Sequence, residues 1–440
     1  MHRRRKPLPQ GRFEADIVDL SHTGQGLARV NGKVTFIADA LPGERVAFRY
    51  TAQYRDADHG QALDILQASS DRVTPRCPHF GVCGGCSLQH LAPAAQIRFK
   101  QKQLLDALQR IGRVQPETVA SPITGASWGY RRRARLGVKD VHGRQVIVGF
   151  RERESGLIGN LSSCPVLDER VGAQLPALAA LIAGLGIRDQ VAQIEVAAAA
   201  GVCLVLRVLA PPSAADQQAL RAFSAASGFE LRLQPGGHDS IQPLDPPARE
   251  LAYSPDGSAL RLRFEPTDFI QINADISQRA VLQALDWLAP QPGERVLELF
   301  CGLGNFSLPI AACGAQLVAV EGEAGLVRRA RENAQANGLE IRFEQADLFR
   351  ATAQAPWLQG RYDKLLLDPP RSGASEILPL AAAAAPQRIV YVSCHPGTLA
   401  RDAGTLVHDL GYRLQRVGVM DMFPHTAHVE SMALFERARA

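Results

Sequence analysis

The sequence predicts an α/β protein whose back half is a doubly wound parallel sheet, set behind a small β-barrel and a mixed α+β segment. Three observations carry that prediction. After about residue 275, short apolar strands alternate with helical spacers of roughly ten to fifteen residues. A Gly-rich turn, Cys301-Gly302-Leu303-Gly304, follows the first of those strands and opens a helix. Residues 12–70 instead alternate apolar and polar positions in short runs divided by turn residues, as barrel strands do. A chain of 440 residues is long enough for about three domains of about 150 residues each.

The elements follow in order. Residues 1–74 hold a basic tail (Arg3, Arg4, Arg5, Lys6) and about five short strands, with Asn31-Gly32 as a hairpin signal. Residues 75–268 form the central segment, opening on cysteines and glycines. A helix follows, spanning about 93–124 at most and assigned to pack on the last domain. Further strands are expected at Val146–Arg151, Gln193–Leu209 and Leu260–Phe264, with helices near 168–186 and 213–228. Residues 269–440 hold the parallel sheet, with strands at Arg295–Leu299, Leu317–Glu321, Ile341–Gln345, Tyr362–Asp368 and Arg388–Cys394.

Composition excludes several classes. The 46% hydrophobic and 21% charged content suits a globular chain and excludes a wholly disordered one. No uncharged apolar run reaches the length of a membrane span, and the basic start lacks the apolar core of a signal peptide. A cytoplasmic protein is expected. Charge is uneven: residues 1–165 carry 25 Lys+Arg against 14 Asp+Glu, whereas residues 166–440 carry 24 against 30. A basic front on a slightly acidic body points to a polyanion such as a nucleic acid.

Cysteines cluster. Cys77, Cys83 and Cys86 lie within CPHFGVCGGCSLQH, and Cys164 in SSCPVL is the natural fourth thiolate. Spaced cysteines in a cytoplasmic chain are more often metal ligands than disulfides. Four thiolates hold zinc or an iron–sulfur cluster, and three close cysteines with one distant suit a cubane better than paired zinc spacing does. Cys203 and Cys313 read as core residues, and Cys301 as a small residue in the Gly loop.

Residues 295–307, RVLELFCGLGNFS, fail the dinucleotide fingerprint at its third position, which is Ser307. Carboxylates at Glu298, Glu321, Asp347 and Asp368 stand at successive strand ends. They suit S-adenosylmethionine, which presents a sulfonium and an amino group and no pyrophosphate. Cys394 ends an apolar strand where His395-Pro396 opens a helix, a place where the helix dipole stabilises a thiolate. It is the candidate nucleophile, accompanied by Asp368 and by Glu430. His425 and His428 lack a visible third metal ligand.

These motifs resemble, in order and over nearly the full chain, the RNA uracil-C5-methyltransferase family. They are FIQIN (269–273), ELFCGLGNFSLP (298–309), LLLDPPRSG (365–373), VSCHPGTLARD (392–402) and HTAHVE (425–430). The CGGC-SLQH box resembles the bacterial iron–sulfur branch, and the front barrel resembles a TRAM RNA-binding domain. Together they resemble the branch that acts on 23S rRNA.

The resemblance implies a class I S-adenosylmethionine-dependent methyltransferase sheet, with a [4Fe-4S] cluster on Cys77, Cys83, Cys86 and Cys164. It implies that Cys394 adds to C6 of an extruded uridine in a loop or single strand, and that Glu430 removes the C5 proton. Asp368 would hold the uracil edge and help place the cofactor, with Gln271, Phe300, Asn305, Glu321 and Asp347 lining the cofactor site. Asp347 stands where some relatives have Asn. Arg132, in YRRRAR (130–135), would reach near the base. A monomer without an obligate protein partner is expected. Rival readings are a uracil-C5-methyltransferase of tRNA or of another rRNA site, a methylthiotransferase, a DNA cytosine-C5 enzyme, and a non-catalytic RNA-binding iron–sulfur protein.

Overall fold

The computed structural model describes residues 8–438; the four basic residues 3–6 lie outside them. Contacts divide the chain into two compact units. One comprises residues 1–100, 151–157 and 424–428; the other comprises 101–150, 158–423 and 429–440. The sheets nevertheless fall in three separate stretches of sequence, within 13–67, 133–243 and mainly 295–437. The borders expected at 74/75 and 268/269 therefore divide sheets, not compact units.

In the first unit, six strands form one sheet: β1 (Phe13–Asp16), β2 (Asp19–Leu20), β3 (Gly26–Val30), β4 (Lys33–Ala38), β5 (Arg45–Gln53) and β6 (Ala57–Gln67). Their order is β1-β5-β6-β4-β3-β2. β1 pairs with β5 and β2 with β3, so the stretch 13–20 joins the two edges and closes the barrel. The turn at Asn31 and Gly32 has positive φ at both residues (51° and 79°), the type I′ geometry that its sequence predicts. Ile17, Ile37, Val46 and Phe48 fill the interior. Gly60 is required opposite Phe48, because a Cβ there would stand 2.6 Å from the ring.

The cysteine loop belongs to this unit. Gly84 N donates to Arg151 O, and Arg153 N donates to Val82 O. The Arg153 guanidinium donates to Asp39 (2.7 Å) and to Cys86 O (3.2 Å), and lies over the Phe80 ring. Leu20, Leu41, Leu88, Leu91, Ala95 and Phe99 make the apolar cluster beneath it. The helix α1 (Pro93–Ala107) ends in a π turn at 108–112.

In the second unit, β7 (Thr118–Val119) precedes a six-stranded sheet built from β8 (Arg133–Val141), β9 (Gln145–Gly149), β10 (Val191–Ala198), β11 (Val202–Val208), β12 (Glu230–Gln234) and β13 (Gln242–Pro243). The order is β13-β12-β11-β10-β8-β9, which puts the arginine-rich strand β8 inside the sheet. The expected strand 193–209 is a hairpin turning at 199–201. The expected helix at 168–186 is two, α2 (Glu169–Gly172) and α3 (Leu175–Ala183), and Pro176 stands in the first turn of the second. α4 (Ala214–Ser227) opens on a capping box of Ser213 and Asp216. A short ladder, β14 (Ala252–Tyr253) with β15 (Leu262–Arg263), leads to the third sheet.

That sheet follows α5 (Ala274–Leu288), which Asn273 caps. Its parallel part holds β16 (Arg295–Leu299), α6 (Ser307–Ala312), β17 (Gln316–Glu321), α7 (Ala324–Ala336), β18 (Arg342–Gln345), β19 (Lys364–Leu367), α8 (Leu378–Ala383), β20 (Arg388–Ser393) and α9 (Pro396–His408). β21 (Tyr412–Met420) and β22 (Glu430–Arg437) complete it. The order is β18-β17-β16-β19-β20-β22-β21-β7. Strands β16 to β20 are parallel, and β22 runs against β20. Leu297, Leu299, Leu365, Leu366, Leu367, Ile389 and Val390 are buried in an unbroken apolar band, as a sheet covered on both faces requires.

Candidate active site

The carboxyl ends of the parallel strands align. Leu299 on β16 stands opposite Val320 and Leu367, and Leu367 stands opposite Tyr391. The residues just beyond these ends, Phe300, Glu321, Asp368 and Cys394, therefore share one edge of the sheet, where ligands of doubly wound sheets bind. The antiparallel strand β22 brings its amino end to the same edge. Ser393 pairs with Ser431, so one step further the register sets Cys394 against Glu430.

The Gly loop is shaped for close approach. Phe300 adopts a left-handed φ of 64°, Gly302 has φ 55° and Gly304 has φ 94°. A non-glycine residue held in this region marks a backbone fixed by its surroundings. The Phe300 ring lies 5.9 Å from that of Phe349, which is itself 42% exposed. The pair flanks the loop with two aromatic faces.

Carboxylates dominate the electrostatics. Glu298 is fully buried; Ser307 Oγ donates to its Oε2 at 2.5 Å, and its Oε1 has no hydrogen-bond partner. Burial, with Asp368 and Glu321 nearby, pushes its pKa up to about 8. Burial alone pushes Asp368 to about 7. Glu321 accepts from the amides of Gly302 (3.1 Å), Gly322 (2.8 Å) and Glu323 (3.0 Å). Among the described residues no Lys or Arg forms an ion pair with any of the three. An acidic set whose buried member, Glu298, keeps an orphaned oxygen, with Glu321 and Asp368 half-buried beside it, fits a cationic ligand such as the sulfonium and amino groups of S-adenosylmethionine. Asp347 is different: it is exposed and caps its own turn by accepting from Phe349 N.

The thiol corrects a sequence expectation. Burial, then the Glu430 and Asp368 carboxylates, push Cys394 up to about 11, and Arg371 opposes them only in part. The dipole of α9 does not win, because His395 caps that helix by accepting from Thr398 N at 3.2 Å. The amide of His395 in turn donates to Ser393 Oγ. Two carboxylates and a dry setting outweigh a helix end that its own cap already satisfies.

Arg132 is buried, not solvated. Its Nε donates to Gln271 O at 2.7 Å, its guanidinium lies 4.1 Å above the Tyr253 ring, and its Nη2 has no partner. Tyr253 OH donates to Asn305 Oδ1 at 3.0 Å, linking this stack to the Gly loop. Sequence reading passed over Tyr253, which lies in a loop-rich stretch without a motif; it placed Glu298 among the carboxylates suited to the cofactor and gave Arg371 no role of its own.

The candidate metal ligands are less fully gathered. Cys77, Cys83, Cys86 and Cys164 are free thiols of intermediate exposure, and Gly85 N donates to Cys83 Sγ at 3.4 Å. An amide aimed at sulfur favours a thiolate. Among the described residues no group of three His, Cys, Asp or Glu side chains is arranged to hold a metal ion, His425 and His428 included. Cys203 is fully buried as expected, whereas Cys313 is exposed beyond the end of α6.

A pH consequence follows from the charges facing Cys394. Alkylation by iodoacetamide needs the thiolate, so its rate at Cys394 should climb with pH well past the ordinary cysteine range. Glu430→Gln removes one of the anions that raise the pKa, so its alkylation profile should move to lower pH. Peptide mass mapping across a pH series measures both; an unmoved profile in Glu430→Gln contradicts the pairing.

Residues 250–438 match the family described as tRNA (Uracil-5-)-methyltransferase, and residues 12–51 match the TRAM domain. The chain is 53% identical over 441 residues to the 23S rRNA (uracil(1939)-C(5))-methyltransferase RlmD of Alkalilimnicola ehrlichii, covering 99% of each. It is 48% identical to the protein of the same name from Stenotrophomonas maltophilia, covering 99% of this chain and all of that one. Among solved structures it resembles the tRNA (uracil-54, C5)-methyltransferase of Pyrococcus abyssi in complex with S-adenosyl-L-homocysteine. That TM-score is 0.73 with 22% identity, over 96% of this chain and all of that one, a likeness of fold. A class I S-adenosylmethionine-dependent methyltransferase sheet behind a TRAM barrel, and this identity along the whole length, establish that the chain belongs to the RNA uracil-C5-methyltransferase family.

Proposed function

We propose that the protein methylates C5 of uridine 1939 in 23S rRNA, with Cys394 as nucleophile and Glu430 as base. One observation supports the chemistry: the register of β20 on β22 ends at Ser393–Ser431, so Cys394 and Glu430 are the next residues on the two strands at the ligand-binding edge, and Glu430 is the carboxylate that acts most strongly on the thiol. The full-length identity to relatives named for uridine 1939 supports the substrate. S-adenosylmethionine, when bound, supplies an electrophilic methyl group. Glu321, together with Glu298 and Asp368 as a bound cation draws them into their charged forms, supplies the negative charge that suits its cationic groups, while Phe300, Asn305, Gln271 and Asp347 would line the same site.

The residues then act on the base. Uracil C5 is a poor nucleophile; once Cys394 has given its proton to solvent, its sulfur adds to C6, the C5–C6 π bond breaks, and the ring becomes an enolate with electron density on C5. Asp368, raised to about 7, is half protonated near neutrality and so can donate a hydrogen bond to the uracil edge or accept one from it. Once C5 carries the methyl group, Glu430 takes the C5 proton. The electrons of that C–H bond restore the C5–C6 double bond as the C6–S bond breaks and Cys394 leaves. Arg132, buried with its plane on Tyr253 and its Nη2 without a hydrogen-bond partner, would meet the extruded base once the Tyr253 stack that covers it gives way. The barrel and the basic front half supply backbone contacts to RNA. All the reacting side chains come from one chain, so a monomer suffices, and the cytoplasm is where its rRNA substrate is made.

Mapping 5-methyluridine in 23S rRNA by mass spectrometry tests this reading. Cells lacking the gene should lose the methyl group at position 1939 and regain it with the wild-type gene but not with Cys394→Ala. Persistence of the mark without the gene, or loss of a tRNA mark instead, contradicts it.

We further propose that Cys77, Cys83, Cys86 and Cys164 ligate a [4Fe-4S] cluster that shapes the RNA-binding part and stays out of methyl transfer. Four protein thiolates leave no open iron position. Anaerobically purified protein should carry about four iron and four labile sulfide per chain, and Cys83→Ser should lose them along with RNA affinity. Stoichiometric zinc without sulfide contradicts the cluster.

A further inference from the structure

The VSCHPGTLARD segment runs past the nucleophile to Arg401 and Asp402, which perform no step described above. Asp402 is 1% exposed on α9, yet both of its carboxyl oxygens are engaged. Its Oδ2 accepts from Ala374 N at 2.8 Å and from Tyr391 OH at 2.6 Å. Its Oδ1 accepts from Arg401 Nε at 2.8 Å, and Arg401 Nη2 also donates to Ser372 O at 2.9 Å. One carboxylate thus ties together α9, strand β20 and the loop that follows Asp368.

The loop is held at two successive points, Ser372 O and Ala374 N. Between them Gly373 has φ 81°, and a Cβ there would stand 2.5 Å from Arg401 Nη2 and 2.7 Å from Asp402 Oδ2. Only glycine lets the backbone come so close. Gly373 N closes the turn on Pro370 O at 2.9 Å. Arg371 rides on this turn, and it is the cation within electrostatic reach of Cys394.

We propose that Asp402 is a positioning residue: by clamping the Pro370–Ala374 turn through Ala374, Tyr391 and Arg401, it holds Arg371 toward Cys394. Arg371 then offsets part of the negative charge that Glu430 and Asp368 place around the thiol. A buried charge is costly unless its partners are complete, and here they are complete on three separate elements.

The test is a double-mutant cycle read at the thiol. The charged groups facing Cys394 are Glu430, Asp368 and Arg371; Asp402 faces the neutral Tyr391 hydroxyl and the Arg401 guanidinium. Arg371→Gln should shift the Cys394 iodoacetamide profile to higher pH, slowing alkylation about tenfold at a fixed pH below the midpoint. Asp402→Asn should shift it the same way, and the double variant should go little further than either single one. The sign discriminates, because deleting an anion through space alone would lower the midpoint. In turnover, kcat should fall while KM for S-adenosylmethionine stays within about twofold. Should Asp402→Asn fail to fold, Tyr391→Phe removes one partner only and should give a smaller shift in the same direction. An unshifted or lowered midpoint in the soluble variant, or additive effects of Asp402→Asn and Arg371→Gln, overturns the inference. The kinetic arm rests on the reading of Cys394 as nucleophile, whereas the alkylation arm needs no substrate. An active Cys394→Ala would sink that reading and leave the cycle readable.

Discussion

The direction of β22 is the constraint on which the site depends. A purely parallel sheet offers only carboxyl ends at its ligand-binding edge, so a nucleophile at one strand end meets loops on either side. Here the strand beside β20 runs the other way, and its first residue, Glu430, arrives where Cys394 leaves. The ladder fixes that meeting along six consecutive pairs, from Arg388–Glu436 to Ser393–Ser431. A slip of one residue would turn Glu430 to the other face of the sheet.

Charge is the second organising fact. The edge gathers Glu430 and Asp368 around the Cys394 thiol, with the Arg371 cation opposing them, and sets Glu298 near Asp368 and Glu321. Burial raises all three groups, and neighbouring acids add to it at Glu298 and Cys394, so Glu298 sits at about 8, Asp368 at about 7 and Cys394 at about 11. The resting thiol is therefore protonated and unreactive. Any cation taken into the loop stabilises the acids in their charged form, so cofactor affinity should be linked to the protonation of these side chains.

Much of this was legible in the sequence because it depends on local rules. The Asn31-Gly32 turn, the apolar runs of β16 to β20 and the glycines at 302 and 304 each declare a backbone requirement at their own positions. What was illegible depends on partners far along the chain. The arginine-rich strand reads as a contact for the extruded RNA, or else as a solvated edge, until β10 and β9 are found on either side of it, and Arg132 is found beneath Tyr253. The stretch 193–209 is mostly apolar, and Gly201 alone does not announce the turn at 199–201. Cys394 at a helix start suggests a lowered pKa; the opposite follows from carboxylates 26 residues before it and 36 after it. The segment 424–428 groups with the barrel unit although Glu430 lies in the other, which no hydrophobic period could announce.

The most direct test of the account is a covalent trap. A 23S rRNA fragment with 5-fluorouridine at the target position cannot give up a C5 proton to Glu430, so the C6–S bond should persist after methylation. Incubation with S-adenosylmethionine, digestion and mass mapping should find the methylated fluorouridine on the peptide containing Cys394. An adduct on another side chain, or none while unmodified RNA is still methylated, would contradict the account.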